Sequence, residues 1–322
     1  MRRFLFRFAV ILSITFVTAQ SVSAAELLIP GGEVIGLQIK DQHVTVAGFD
    51  DTLGTAARAA GLQAGDIILT VDETPIHCAE DIRLALTQSD GDVDLTIRRG
   101  KAIRELETNP IITKNGPKLG ILLKEGITGI GTVTYYDPDT GSFGALGHGV
   151  NDPAGDLAAM TQGLAYSARV NSVRKGTPGD PGQLVGSVTD LTPLANLTKN
   201  TTQGVFGKGT QLFTGDPLPV AAVTDIHPGP AIIRSTIESG TVREYSVEIL
   251  KIYPHSSSDG RNMVLRVTDP ALLAATGGIV QGMSGSPIIQ DGKLIGAVTH
   301  VLVNDPTTGY GIFIENMLDA AA

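Results

Sequence analysis

The run Gly282-Met283-Ser284-Gly285-Ser286-Pro287 sets a serine hydroxyl between two glycines, as acyl transfer to a side-chain oxygen requires. Glycine lets the main chain approach a reacting carbonyl closely, so the N–H groups of Gly282 and Ser284 are the candidates to receive a developing oxyanion. A serine hydroxyl is a weak nucleophile at neutral pH and needs a base within hydrogen-bond reach, most often histidine. The chain offers six. His43 and His77 lie far upstream, His227 and His255 stand beside prolines in turn-like contexts, and His300 closes the apolar run that follows the serine. His148, in Gly144-Ala145-Leu146-Gly147-His148-Gly149-Val150, is flanked by glycines that let its ring project from a tight backbone, and it is taken as the base.

Behind the serine, Pro287 to Gln290, then Asp291-Gly292, then Lys293 to Val298 spell a two-residue hairpin between β-rich runs. An α/β-hydrolase elbow would need a glycine in place of Ser286 and a helix in place of this hairpin, which disfavours that fold. His148 before Ser284 is the chymotrypsin-like order, in which two β-barrels each supply one residue. Abundant Val, Ile and Thr, 39 glycines and no tryptophan likewise predict short strands and tight turns: a mainly β chain with a smaller α+β module. Its 322 residues suffice for two ordinary domains. With 24 basic against 33 acidic residues the net charge is −9, which argues against nucleic acid and leaves a protein or peptide as partner. Cys78 is the single cysteine, so neither an intramolecular disulfide nor a thiolate metal cage can form. No H-E-x-x-H spacing is present, and neither a metal nor another cofactor is implied.

Arg2, Arg3 and Arg7, the apolar run Phe8 to Ala19 and the small residues ending at Ala24 predict a signal peptide or N-terminal anchor over residues 1–24. The remainder is expected outside the cytoplasm. From Val34 to Ile39 and His43 to Val46 come two β-rich pieces separated by Lys40-Asp41-Gln42. Ala60-Gly61-Leu62-Gln63-Ala64-Gly65-Asp66 then turns into a buried run, Ile82, Ala85 and Leu86 fall at helical spacing between Glu80 and Gln88, and Val93 to Ile97 alternates as a strand. This pattern resembles a PDZ domain of the bacterial protease-associated kind, placed over residues 30–108. That resemblance implies a groove for an added peptide strand, with Gly36, Leu37, Gln38 and Ile39 as the carboxylate-binding loop. Residues 109–117 are expected to be a linker and 118–322 the catalytic domain, with long surface loops over 174–183 and 198–209.

Gly144 to Val150, Gly282 to Pro287 and Thr299-His300-Val301 to Asn316 together resemble the SpoIVB peptidase family, stage IV sporulation protein B. What that implies is a membrane-associated or released serine endopeptidase of endospore-forming bacteria. It would work in the space between the membranes around a developing spore, cutting itself and a membrane-bound regulator of an intramembrane protease. Carried over by position, the resemblance makes His148 the base, Ser284 the nucleophile and Asp269 the third catalytic residue. On the residues alone, Asp269-Pro270 is a helix cap followed by a first helical position, and Asp190 and Asp225 compete for the third place. His300 is placed to line the pocket for the residue before the cut and to favour a polar side chain there. The alternative is a non-catalytic scaffold, in which a degenerate protease domain accompanies a PDZ groove that binds protein C-termini.

Overall fold

A computed structural model describes residues 26–152, 155–209, 213–238, 240–254 and 260–322. The expected signal segment and His255 lie outside them. The first half of the chain runs β1 (Leu27–Pro30), β2 (Val34–Phe49), α1 (Thr55–Ala59), β3 (Ile67–Val71), β4 (Thr74–Pro75), α2 (Ala79–Gln88), β5 (Val93–Arg99), β6 (Ala102–Thr108), β7 (Ile111–Thr113) and β8 (Gly116–Lys118). It continues through β9 (Ile121–Asp137), β10 (Ser142–Ala145), β11 (Gln162–Arg174), β12 (Gln183–Thr201) and β13 (Gly204–Lys208). The second half holds β14 (Leu218–Pro219), β15 (Gly229–Ser235), β16 (Arg243–Ile252), β17 (Met263–Val267), α3 (Pro270–Thr276), β18 (Pro287–Gln290), β19 (Lys293–Leu302), β20 (Asp305–Phe313) and α4 (Ile314–Ala321).

Two barrels result. In the first, β2, β9, β10, β13, β12 and β11 pair antiparallel in a ring that closes when β11 returns to β2. Alternation drives it: Ile35, Leu37 and Ile39 of β2 bury one face of the strand against Val133, Phe143, Ala145, Ala165, Leu197 and Val205. The second barrel closes in the order β15-β16-β17-β20-β19-β18 around Ile233, Val247, Leu265, Ile288, Val298 and Phe313. Asp291 and Gly292 turn its β18–β19 hairpin with φ of 50° and 73°, the double left-handed geometry that an Asp-Gly pair favours. Helix α4 rests on strands of both barrels, burying Ile314 and Met317 beside Tyr135, Phe206 and Ile312. The fold is mainly β and has the double-barrel layout of chymotrypsin-like enzymes.

The smaller α+β module hangs between two of these strands. Its core gathers Val44, Val46, Leu62, Ile68, Ile82, Ala85, Leu86, Val93, Leu95 and Ile97, so the helix-spaced trio on α2 does face inward. Buried Asp66 receives two bonds from Arg99, both 2.7 Å, which ties the turn after α1 to the end of β5.

Four expectations require correction. Lys40-Asp41-Gln42 does not end a strand: β2 runs unbroken from Val34 to Phe49, with a register shift between Ile39 and Val44 where it passes from barrel to module. Gly36, Leu37, Gln38 and Ile39 therefore form no carboxylate-binding loop. They pair with Tyr166 to Gly163 on one side and Ile130 to Ile127 on the other, so both of their edges lie in a ladder. The catalytic body thus begins before the module, which is spliced into it, and the segment 109–117 carries the β7–β8 hairpin. Finally, residues 198–209 are mostly barrel wall: Asn196 to Thr201 pair with Lys208 to Gly204, and the loop-like composition reflects glycines such as Gly207 that make room for Phe143.

Candidate active site

Ser284 sits in the connection from α3 to β18, and two threonines of β9 hold that connection to the other barrel. Thr132 N–H donates to Ser284 O (3.1 Å), Thr132 Oγ1 to Gly282 O (2.8 Å) and Thr134 Oγ1 to Gly285 O (2.8 Å). Gly282 and Gly285 both take φ of +97°, and a Cβ on Gly285 would fall 2.0 Å from Thr132 O. Met283 is fully buried in the second-barrel core and anchors the turn from the inside. Among the described residues, the N–H groups of Gly282 and Ser284 donate to no protein acceptor, which leaves both for a ligand oxygen.

The histidine loop leaves β10 through a strained backbone. Leu146 has φ of +70°, unusual for a branched residue, and Gly147 follows at +69°. The strain is held by packing: Leu146 fills the space beside Gly131, while Gly147 fits against Thr299 and Ile312 of the second barrel. His148 emerges half-buried, its Nδ1 donating to Gly149 O at 2.9 Å. A carbonyl can only accept, so Nδ1 carries the proton and Nε2 presents the lone pair that a base needs. Asn200 secures the next residue from across the barrel: its Oδ1 accepts from Val150 N (2.9 Å) and its Nδ2 donates to Val150 O and Ala158 O (2.8 and 2.9 Å).

His148, Ser284, Gly282 and His300 line one cleft of about 560 Å³ at the junction of the barrels, with Leu37, Ile39, Ile127, Ile130, Ile279, Val280 and Val301 as its apolar walls. The rings of His148 and His300 are 5.3 Å apart. Ser284 Oγ donates to Thr299 O at 2.8 Å, so the hydroxyl and the imidazole each hold a backbone carbonyl in this resting arrangement. Burial pushes the His148 imidazole below its ordinary value, and the Gly149 carbonyl pulls more weakly the other way.

Asp269 is not brought to this cleft. Its Oδ1 accepts from Ala271 N and Leu272 N, both 2.9 Å, as the cap of α3, and its Oδ2 takes Ser246 N at 3.4 Å. Of its competitors, Asp190 caps its own turn at Thr192 and Asp225 pairs with Lys293. Asp269→Ala is accordingly expected to lower stability by about 1 kcal/mol, the worth of an N-cap. Turnover should stay within a few-fold, where losing a triad carboxylate would cost about ten-thousand-fold; denaturant melts and initial rates on one preparation check both. His43 and His77 belong to the module side, and exposed His227 pairs with Asp291.

The sequence does not mark Asn200 and Asp152, which set the histidine loop: Asn200 fits only an Asn-x-Thr acceptor pattern ending at Thr202, which says nothing of its bonds to the Val150 backbone 50 residues away. A comparison with protein families matches residues 115–318 to SpoIVB peptidase S55, more than half of the chain. The chain belongs to the SpoIVB peptidase family. It is a serine peptidase, and a protein substrate follows from that membership. Among solved structures, the active form of the Rv3671c protease from M. tuberculosis is similar at 16% identity and a TM-score of 0.38, covering 60% of this chain and 72% of that one. The inactive form of the same protease gives 16% identity and a TM-score of 0.35, over 59% and 81% of the two chains. No curated protein matches this SpoIVB-family chain.

Proposed function

We propose that this SpoIVB-family peptidase cuts a protein chain with Ser284 as nucleophile and His148 as general base, the N–H groups of Gly282 and Ser284 receiving the oxyanion. The observation that carries this reading is that the hydroxyl, the neutral imidazole and two uncommitted N–H donors belong to residues lining one cleft. In this mechanism the hydroxyl leaves Thr299 O and meets Nε2, a tightening that substrate-free sites commonly require. Nε2 then takes the proton as Oγ attacks the scissile carbonyl. The imidazolium returns that proton to the departing amine, and water activated by the same ring hydrolyses the ester. The Gly149 carbonyl does for the ring what a carboxylate does in a triad, fixing the tautomer without contributing a full charge. His300 adds a polar group to an otherwise aliphatic cleft and would favour a polar side chain before the cut. Cleavage of a peptide library tests that subsite, and indifference to polar groups there would remove the assignment.

In this reading the peptidase is exported and membrane-associated or released, and it cleaves itself and a membrane-associated regulator of sporulation. The family membership and the charged, then apolar, N-terminal sequence support it. A fluorophosphonate probe tests the chemistry, since only an activated serine forms the adduct; the label should map to Ser284, and a label elsewhere would displace the assignment. The pH profile tests the base. Because burial lowers the His148 value and only the neutral ring can accept a proton, the acid limb of kcat/KM should have its midpoint below pH 6.5. A midpoint above 6.5 would mean that a different group titrates.

A further inference from the structure

The loop that follows His148 is fastened at two points, and one of them is supplied by the module rather than by the barrel. Arg98, near the end of β5, reaches out of the module so that Nη2 donates to Asp152 Oδ2 at 3.0 Å. The Asp152 side chain is 5% exposed and that of Arg98 23%, so the pair is largely withdrawn from water. Asp152 in turn organises the loop. Its Oδ1 accepts Asp156 N (3.1 Å), its N–H donates to Asp156 O (2.8 Å) and its carbonyl accepts Gly155 N (2.9 Å). On the near side of this knot, Gly149, Val150 and Asn151 line the cleft beside His148, and the Gly149 carbonyl is the group that fixes the imidazole tautomer. His43 Nε2, on the stretch of β2 where barrel passes into module, lies 3.3 Å from the same Arg98 nitrogen.

From this we infer that Arg98 and Asp152 are positioning residues, through which the seating of the PDZ-like module sets the conformation of residues 149–152 and 155–158 and hence the readiness of His148. The inference rests on the His148–Ser284 reading above. A buried pair of this kind is unforgiving: loss of either partner removes the charge-assisted bond between them in a poorly hydrated place, and the loop must move to rehydrate the group that remains. The module then bears on catalysis without touching substrate, by holding or releasing the carbonyl that orients the base. Whatever shifts the module relative to the first barrel, a bound partner protein included, is transmitted along the same line.

The experiment compares wild type, Arg98→Ala, Arg98→Lys, Asp152→Asn, the double variant Arg98→Ala with Asp152→Asn, and Ser284→Ala in the full chain. Hydrogen–deuterium exchange should rise across residues 149–152 and 155–158 in Arg98→Ala and Asp152→Asn while strands β3 and β5 keep their protection. Fluorophosphonate labelling and kcat should fall roughly ten- to a hundred-fold in those variants, with KM within a few-fold, as expected when a catalytic group is misplaced rather than removed. Arg98→Lys should recover part of the rate, and the double variant should be no worse than the poorer single one. Unchanged exchange over 149–152 and 155–158, or multiplying losses in the double variant, would overturn the inference. Labelling that persists in Ser284→Ala would instead overturn the assignment of the nucleophile and leave the exchange result standing.

Discussion

Ser284→Ala is expected to abolish peptide cleavage and self-cleavage, a loss on the order of a million-fold in rate if serine and histidine act as one unit. The fold should scarcely notice. Among the described residues the hydroxyl bonds to Thr299 O, while the loop itself is held by main-chain and threonine bonds that alanine leaves intact. The measurement is a time course on a gel for wild type and variant, alongside thermal melts of both. Normal turnover in a folded Ser284→Ala would end the proposed mechanism, whereas a collapsed melting point would refute the claim that the loop is held without the hydroxyl.

Gly285→Ala should act in the opposite way, through structure first. At φ of +97° a side chain is strained wherever it points, which costs about 1–2 kcal/mol. The new methyl would also lie 2.0 Å from Thr132 O and 2.5 Å from Leu146 N, and these are backbone atoms of the first barrel that cannot swing aside. Together the two effects predict a loss of about 3 kcal/mol or more. Gly285 N–H donates to Val298 O and its carbonyl accepts from Thr134, so relief of the clash must drag the nucleophile turn away from the histidine loop. Urea unfolding followed by circular dichroism and by activity should show both falling together. Stability within 1 kcal/mol of wild type would show that the barrels do not press on one another as described.

The parts of the fold that were legible in the sequence were local ones. Asp291-Gly292 announced its hairpin because only a few residue types accept two left-handed positions, and Asp269-Pro270 with Gly277 bounded α3 for the same kind of reason. That local grammar shows in the structure as a cap at Asp269, whose carboxylate is spent on the helix end. What could not be read was pairing over distance. Gly36 to Ile39 look alike as loop or strand until β9 and β11 close on either side of them, roughly ninety and a hundred and thirty positions later. Asn200 carries no sign of its role because its partners, Val150 and Ala158, are main-chain atoms that any residue supplies. Ser284 and His148 were found because glycines mark both of their turns, and these turns meet where Gly285 abuts Leu146.

One consequence lies in how β2 and β9 are shared. Each belongs to the first barrel for part of its length and to the module for the rest, and at their crossing Gly126 passes so near Ile39 O that a Cβ would fall 2.1 Å from it. No cut between residues 108 and 118 can therefore yield a self-sufficient enzyme, since such a fragment would lack one stave of its own wall. The ribosome releases that stave first and its two neighbours much later, so the barrel has to wait, unsealed, for the whole interposed unit to be made.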